Sequence, residues 1–128
     1  MKIEHIAVWT KDIENMKNFY CKFFDGIAND IYINEKKGFK SYFIKFSDGC
    51  RLELMRSINV NKYSNDVTFG IAHIAFVVGD RKKVDDMTSF FKSQGIKIIG
   101  EPRITGDGYY ESVLLDPEKN TIELVADK

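Results

Sequence analysis

Ile3-Glu4-His5-Ile6-Ala7 returns 68 residues later as Ile71-Ala72-His73-Ile74-Ala75, and these two phrases hold the only two histidines of the chain. The likeness continues downstream of each phrase. An aspartate, Asp12 or Asp80, stands where its side chain can cap a helix. Apolar residues then fall at helical spacing: Ile13, Met16, Phe19, Tyr20, Phe23 and Phe24 in the first half, Val84, Met87, Phe90 and Phe91 in the second. Gly26 and Gly95 come next, at the place where a helix often ends in a left-handed residue. Three strand-like stretches complete each half, near 27–34, 39–46 and 50–57, then 97–104, 109–115 and 120–126. Ser47-Asp48-Gly49 and Asp116-Pro117-Glu118-Lys119-Asn120 supply the last turns. The halves close on Leu52-Glu53-Leu54 and Ile122-Glu123-Leu124, an offset of 70 residues.

The expected fold is therefore α+β: a βαβββ module at 1–57, a linker at 58–69 containing Asn59, Asn61, Ser64, Asn65 and Asp66, and a second module at 70–128. A half of about 60 residues buries a poor core by itself. The halves are expected to pack together, within one chain or exchanged between two.

Bulk properties narrow the function. The 128 residues include 19 basic and 19 acidic side chains, so no basic field draws nucleic acid. No apolar run reaches the roughly 20 residues that span a bilayer, and the first residues do not follow a signal-peptide pattern. The expected location is the cytoplasm. Cys21 and Cys50 lack metal-ligand spacing and read as two thiols in a reducing compartment.

Strand alternation places His5 with Ile3, Ala7 and Trp9 on one face, and Glu53 with Arg51 and Met55. In the second half His73 lies with Ile71, Ala75 and Val77, and Glu123 with Thr121 and Val125. Each Glu sits between two core residues in sequence, where a charge needs a partner. Either Glu on its own could pair with a cation such as Arg51 or Lys45, or face water, and either His alone could be structural. That all four positions are repeat-equivalent favours one divalent ion held by His5, Glu53, His73 and Glu123. Imidazole and carboxylate donors suit Zn or Ni first, with Co, Mn or Fe as further possibilities. Trp9, Arg51, Tyr42 and Tyr110 are candidate pocket residues, as is Phe46, although strand aromatics commonly belong to a core. Gly106-Asp107-Gly108 reads either as a lid or as an ordinary hairpin turn.

With the repeated Ile-x-His-Ile-Ala, the repeated Leu/Ile-Glu-Leu, Gly106-Asp107-Gly108-Tyr109-Tyr110 and Asp116-Pro117, the chain resembles the vicinal oxygen chelate superfamily of glyoxalases, bleomycin-resistance proteins and dioxygenases. The resemblance implies paired βαβββ modules whose curved mixed sheets enclose a metal-bearing cleft, and often a homodimer. Among its members, bacterial glyoxalase I (lactoylglutathione lyase) is similar in carrying His, Glu, His, Glu in the order of His5, Glu53, His73 and Glu123. The implied activity is isomerisation of the hemithioacetal of an α-oxoaldehyde such as methylglyoxal. Glu123 would be the main base, and Glu53 its partner across the substrate. Two positions depart from that enzyme. Trp9 replaces an arginine that helps hold the glutathione carboxylate, and Arg56 replaces an asparagine. Two other functions resemble known members: non-catalytic binding of a planar drug or metabolite, and an Fe(II) dioxygenase using His5, His73 and Glu123.

Overall fold

The computed structural model describes residues 3–63, 69–106 and 108–127. The chain forms two compact units, Met1–Val67 and Thr68–Lys128.

In the first unit, β1 (His5–Trp9) leads to α1 (Ile13–Phe23), then β2 (Ile27–Ala28), β3 (Tyr32–Asn34), β4 (Phe39–Lys45) and β5 (Arg51–Ser57). The sheet runs β1-β5-β4-β2, and β3 also pairs with β4. β1 is parallel to β5, and β4 is antiparallel to β5. Asp12 caps α1 by accepting from the Asn15 amide at 3.0 Å. One face of the helix, with Ile13, Met16, Phe19 and Tyr20, is buried together with Leu52, Leu54 and Ile44 of the sheet. Each such side chain contributes roughly 1.5–3 kcal/mol by leaving water.

Two details differ from the sequence expectation. The stretch at 27–34 is not one strand. The Asn29 side chain accepts from the Phe43 amide at 2.7 Å, taking the place of a backbone carbonyl, and the ladder breaks there into β2 and β3. At the end of α1, Asp25 rather than Gly26 takes the left-handed conformation, with φ 53°. Gly26 is required for space: a Cβ there would lie 2.6 Å from Ile44 Cγ2.

In the second unit, β6 (Ile74–Gly79) and α2 (Arg81–Ser93) precede β7 (Ile98–Ile104), β8 (Tyr110–Leu115) and β9 (Thr121–Ala126), in the sheet order β6-β9-β8-β7. Asp80 caps α2 through the Lys83 amide at 2.8 Å, and Gly95 ends it at φ 75°. The buried helix face is Val84, Thr88 and Phe91, while Phe90 is half exposed. Thr88 holds a core position because its needs are met. Its hydroxyl donates to the Val84 carbonyl at 2.7 Å, which leaves the Ser112 hydroxyl to donate to it at 2.7 Å.

The Asp116 turn joins β8 to β9 and so sets the register of Glu123. The Asp116 carboxylate is buried and accepts from the amides of Glu118 and Asn120 and from the Asn120 side chain, all within 2.9 Å. Cys21 and Cys50 are free, partly buried thiols. Among the described residues no helix is long and apolar enough to cross a membrane.

Candidate metal centre

The two sheets present the same local geometry. In the first unit Ala7 lies opposite Glu53 in the parallel β1–β5 pair, and in the second Ala75 lies opposite Glu123 in β6–β9. A small residue beside each carboxylate leaves room for the histidine two positions earlier to lean over it. His5 Nε2 is 3.7 Å from Glu53 Oε2, and His73 Nε2 is 3.3 Å from Glu123 Oε2. In both pairs the glutamate is the more enclosed partner, its side chain 14% and 18% exposed against 39% and 43% for the histidines.

These separations bear on whether an ion suits the pairs. Two donors on one ion at about 2.0–2.2 Å each stand roughly 3.0–3.5 Å apart at right to tetrahedral angles. The His73–Glu123 pair falls in that range, and the His5–Glu53 pair lies just outside it. Neutral imidazole and ionised carboxylate are also the correct donor chemistry. Each unit by itself supplies two donors. Among the described residues no group of three or more His, Cys, Asp and Glu side chains is gathered closely enough to hold a metal ion.

The surroundings of the two pairs differ. In the first unit the His5 ring also donates, from Nδ1, to Glu4 Oε2 at 2.5 Å. The other oxygen of Glu4 meets the Arg51 guanidinium. Arg51 in turn lies over the Phe43 ring at 4.2 Å, and Phe43 meets the His5 ring edge-on at 5.3 Å. The hydrogen bond from His5, and after it that from Arg51, holds the Glu4 carboxyl below its ordinary value. Further along the same face, Trp9 stands edge-on to Phe39 at 6.3 Å, and Phe39 lies 6.2 Å from Tyr32. In the second unit the face of Glu123 carries a further acid, Glu111, which is buried and ion-paired with Arg103 at 3.2 Å.

Other candidates lie elsewhere. Tyr42 pairs with Leu54 on the helix side of the sheet, and its hydroxyl donates to Glu14 at 2.7 Å. That bond first, and burial second, push the phenol up from its ordinary value. Tyr110 behaves alike: it donates to Asp85 of α2 at 2.7 Å, and Asp85 raises its phenol. Neither tyrosine shares a face with the His–Glu pair of its unit. Arg56 also points away from Glu53 and donates to the carbonyls of Ser57 and Val60. A cavity of about 590 Å³ near Lys11, Glu14, Lys40, Arg56 and Ile58 contains none of the four metal-capable residues. Asp107 of the possible lid lies outside the described residues. Beside it the Thr105 amide donates to the Tyr109 carbonyl at 2.8 Å, closing a hairpin.

Sequence reading missed Glu4, Phe43, Phe39, Tyr32 and Glu111. Alternation could have found three of them, since Phe39 and Phe43 are the β4 residues opposite Ser57 and Glu53, and Glu111 shares parity with Val113 opposite Glu123.

Residues 2–124 match the Glyoxalase/Bleomycin resistance protein/Dioxygenase superfamily. The chain belongs to this superfamily. Its members commonly bind a divalent metal ion and act on small molecules. The uncharacterised protein YqjT of Bacillus subtilis is 25% identical over 97% of this chain and 98% of that protein. Glyoxalase I from Zea mays has a similar fold, with a TM-score of 0.79 at 22% identity, covering 99% of this chain and 46% of that one. The chain thus spans about half the length of the maize enzyme. The trypanothione-dependent glyoxalase I of Leishmania major is similar with a TM-score of 0.79 at 19% identity, over 98% of this chain and 86% of that one. At such identities the likeness of these superfamily structures is one of fold.

Proposed function

We propose that this protein is a glyoxalase-I-like lyase that isomerises the hemithioacetal of an α-oxoaldehyde, with one divalent ion held by His5, Glu53, His73 and Glu123. The observation that carries the reading is the repeated His–Glu pair, with donors 3.7 and 3.3 Å apart on an open sheet face of each unit. Superfamily membership supports it.

When bound, the ion supplies Lewis-acid stabilisation of negative charge developing on the substrate oxygens. The remaining work falls to side chains. Glu123 takes the proton from the substrate C–H and returns it to the adjacent carbon, and Glu53 serves the opposite side of the same two carbons. Partial burial of both carboxylates limits competition from water. Trp9, Phe39 and Tyr32 offer an aromatic wall, and no arginine stands at position 9 to hold a carboxylate. The thiol part of the substrate therefore differs from glutathione in what it presents there. Variation of the thiol has a parallel in the fold relative from Leishmania, which is described as trypanothione-dependent.

The same wall favours one second reading, non-catalytic binding of a planar apolar compound. Metal analysis followed by assay separates the two. The enzyme reading expects one ion per chain and turnover of a methylglyoxal hemithioacetal with at least one of several thiols, under Zn, Ni or Co. It also expects Glu123→Gln to cut the rate by about 10²–10⁴. Tight binding of a planar compound by metal-free protein, with no uptake of metal, would replace it with the second reading.

A further inference from the structure

The two halves repeat their metal-capable residues but not the residues that stand where Glu4 and Arg51 do in the first. In the first unit a carboxylate reaches the far side of the histidine ring: Glu4 Oε2 accepts from His5 Nδ1 at 2.5 Å, while Nε2 faces Glu53. Glu4 precedes β1, so strict strand alternation does not send its side chain to the opposite face. It is tied down twice by one neighbour. The Arg51 amide donates to the Glu4 carbonyl at 3.0 Å, and the Arg51 guanidinium holds the other carboxylate oxygen. Arg51 is itself seated on Phe43, whose ring also packs against His5. His5 and Arg51 are direct partners in the β1–β5 ladder, so the four side chains close a ring around one strand register. In the second unit Ala72 stands in place of Glu4 and Thr121 in place of Arg51, and the His73 ring pairs with Glu123.

A carboxylate can only accept from an imidazole N–H. In a neutral His5 ring, a Glu4 held in this way favours the proton on Nδ1, which turns the Nε2 lone pair toward Glu53. Carboxylates placed behind a ligating imidazole set its tautomer and ring orientation and raise its basicity as a donor. We propose that Glu4 is a positioning residue for His5, itself held by Arg51, so that His5 is the pre-oriented imidazole of the centre, while Ala72 gives His73 no carboxylate at the equivalent position. The metal-related part of this proposal rests on the function proposed above. The tautomer does not.

Two readouts test it. The first is the ¹⁵N spectrum of the two histidine rings in metal-free protein. Wild-type protein should show the Nδ1–H form at His5. Glu4→Ala should move His5 toward the Nε2–H form that a free imidazole prefers, with His73 unchanged as the internal reference. Glu4→Gln, which keeps an oxygen acceptor, should restore much of the Nδ1–H form. The second readout is titration with Ni²⁺ or Zn²⁺ alone. Removing a carboxylate behind a ligating histidine weakens metal binding 10- to 100-fold. Because Glu4 is more than half exposed, the expected loss for Glu4→Ala is at the lower end, about tenfold. An unchanged His5 tautomer in Glu4→Ala, or affinity within twofold of wild type, overturns the assignment. If wild-type protein takes up no metal, the proposed function falls, and the tautomer decides the role of Glu4.

Discussion

Replacing one histidine at a time tests whether the two pairs serve one ion or two. For bonds of about 2.1 Å, the 3.3 Å between His73 and Glu123 donors subtends an angle near 104°. The 3.7 Å between His5 and Glu53 donors subtends about 124°, so that pair must close by a few tenths of an ångström. Both bites are near those of neighbouring ligands, and neither pair alone makes a strong site. Four-donor structural zinc sites bind with roughly 10–16 kcal/mol, about 3 kcal/mol per donor. Loss of either imidazole should therefore weaken binding by about 10²-fold, since each 1.4 kcal/mol is a factor of ten. The assay is competition against a chromophoric chelator at fixed pH, with the metal content measured independently. The expected result is one ion per chain in the wild type, about 10²-fold weaker binding in both His5→Ala and His73→Ala, and none measurable in the double variant. Two ions per wild-type chain, one of them surviving intact in His5→Ala, would show that each pair binds separately and would refute the shared centre.

Tyr42→Phe should cost about 1 kcal/mol in urea unfolding through loss of the bond to Glu14, and should leave turnover unchanged because Tyr42 lies on the helix side. Lys17 first, and Tyr42 second, hold the Glu14 carboxyl below its ordinary 4.5. Its small contribution is thus full above that value and is lost as the pH falls through the folded-state value. Glu14→Gln should accordingly flatten the acid limb of a stability–pH curve. Asp116→Ala removes three hydrogen bonds from a buried carboxylate and should destabilise by about 2–3 kcal/mol, seen as a lower urea midpoint. Trp9 is the single tryptophan and is 47% exposed, so iodide should quench its fluorescence in free protein. A saturating substrate should protect it, and unchanged quenching would remove Trp9 from the pocket.

Much of the fold was legible because the repeat doubles every signal. The two aspartate caps, the core faces of the helices and the shared face of each His–Glu pair all come from spacing that occurs twice. The readings that moved did so for local reasons. Asn29 spends its side chain on a ladder position, which no propensity reveals, and so splits a strand. Thr88 takes a core place that its composition argues against, because Ser112 stands ready to donate to it. Tyr42 and Tyr110 were candidates by residue type, and cross-strand register then assigned them to the helices. Glu4 was invisible for a different reason. Alternation sends neighbours on a strand to opposite faces, and only the end of the strand frees Glu4 to turn back to His5.

Both histidines belong to the outermost strand of their sheets, or to the residue just before it, while each glutamate lies one strand inward. An outermost strand is bonded along one side only and is the first part of a sheet to fray. In the empty protein, the amides of β1 and β6 should exchange with solvent sooner than those of β5 and β9. A ligand joining imidazole to carboxylate would rivet each outer strand to its inner neighbour. Occupancy would then register as slowed deuterium uptake along β1 and β6, and the time a metal stays bound would be governed by how often those strands lift away.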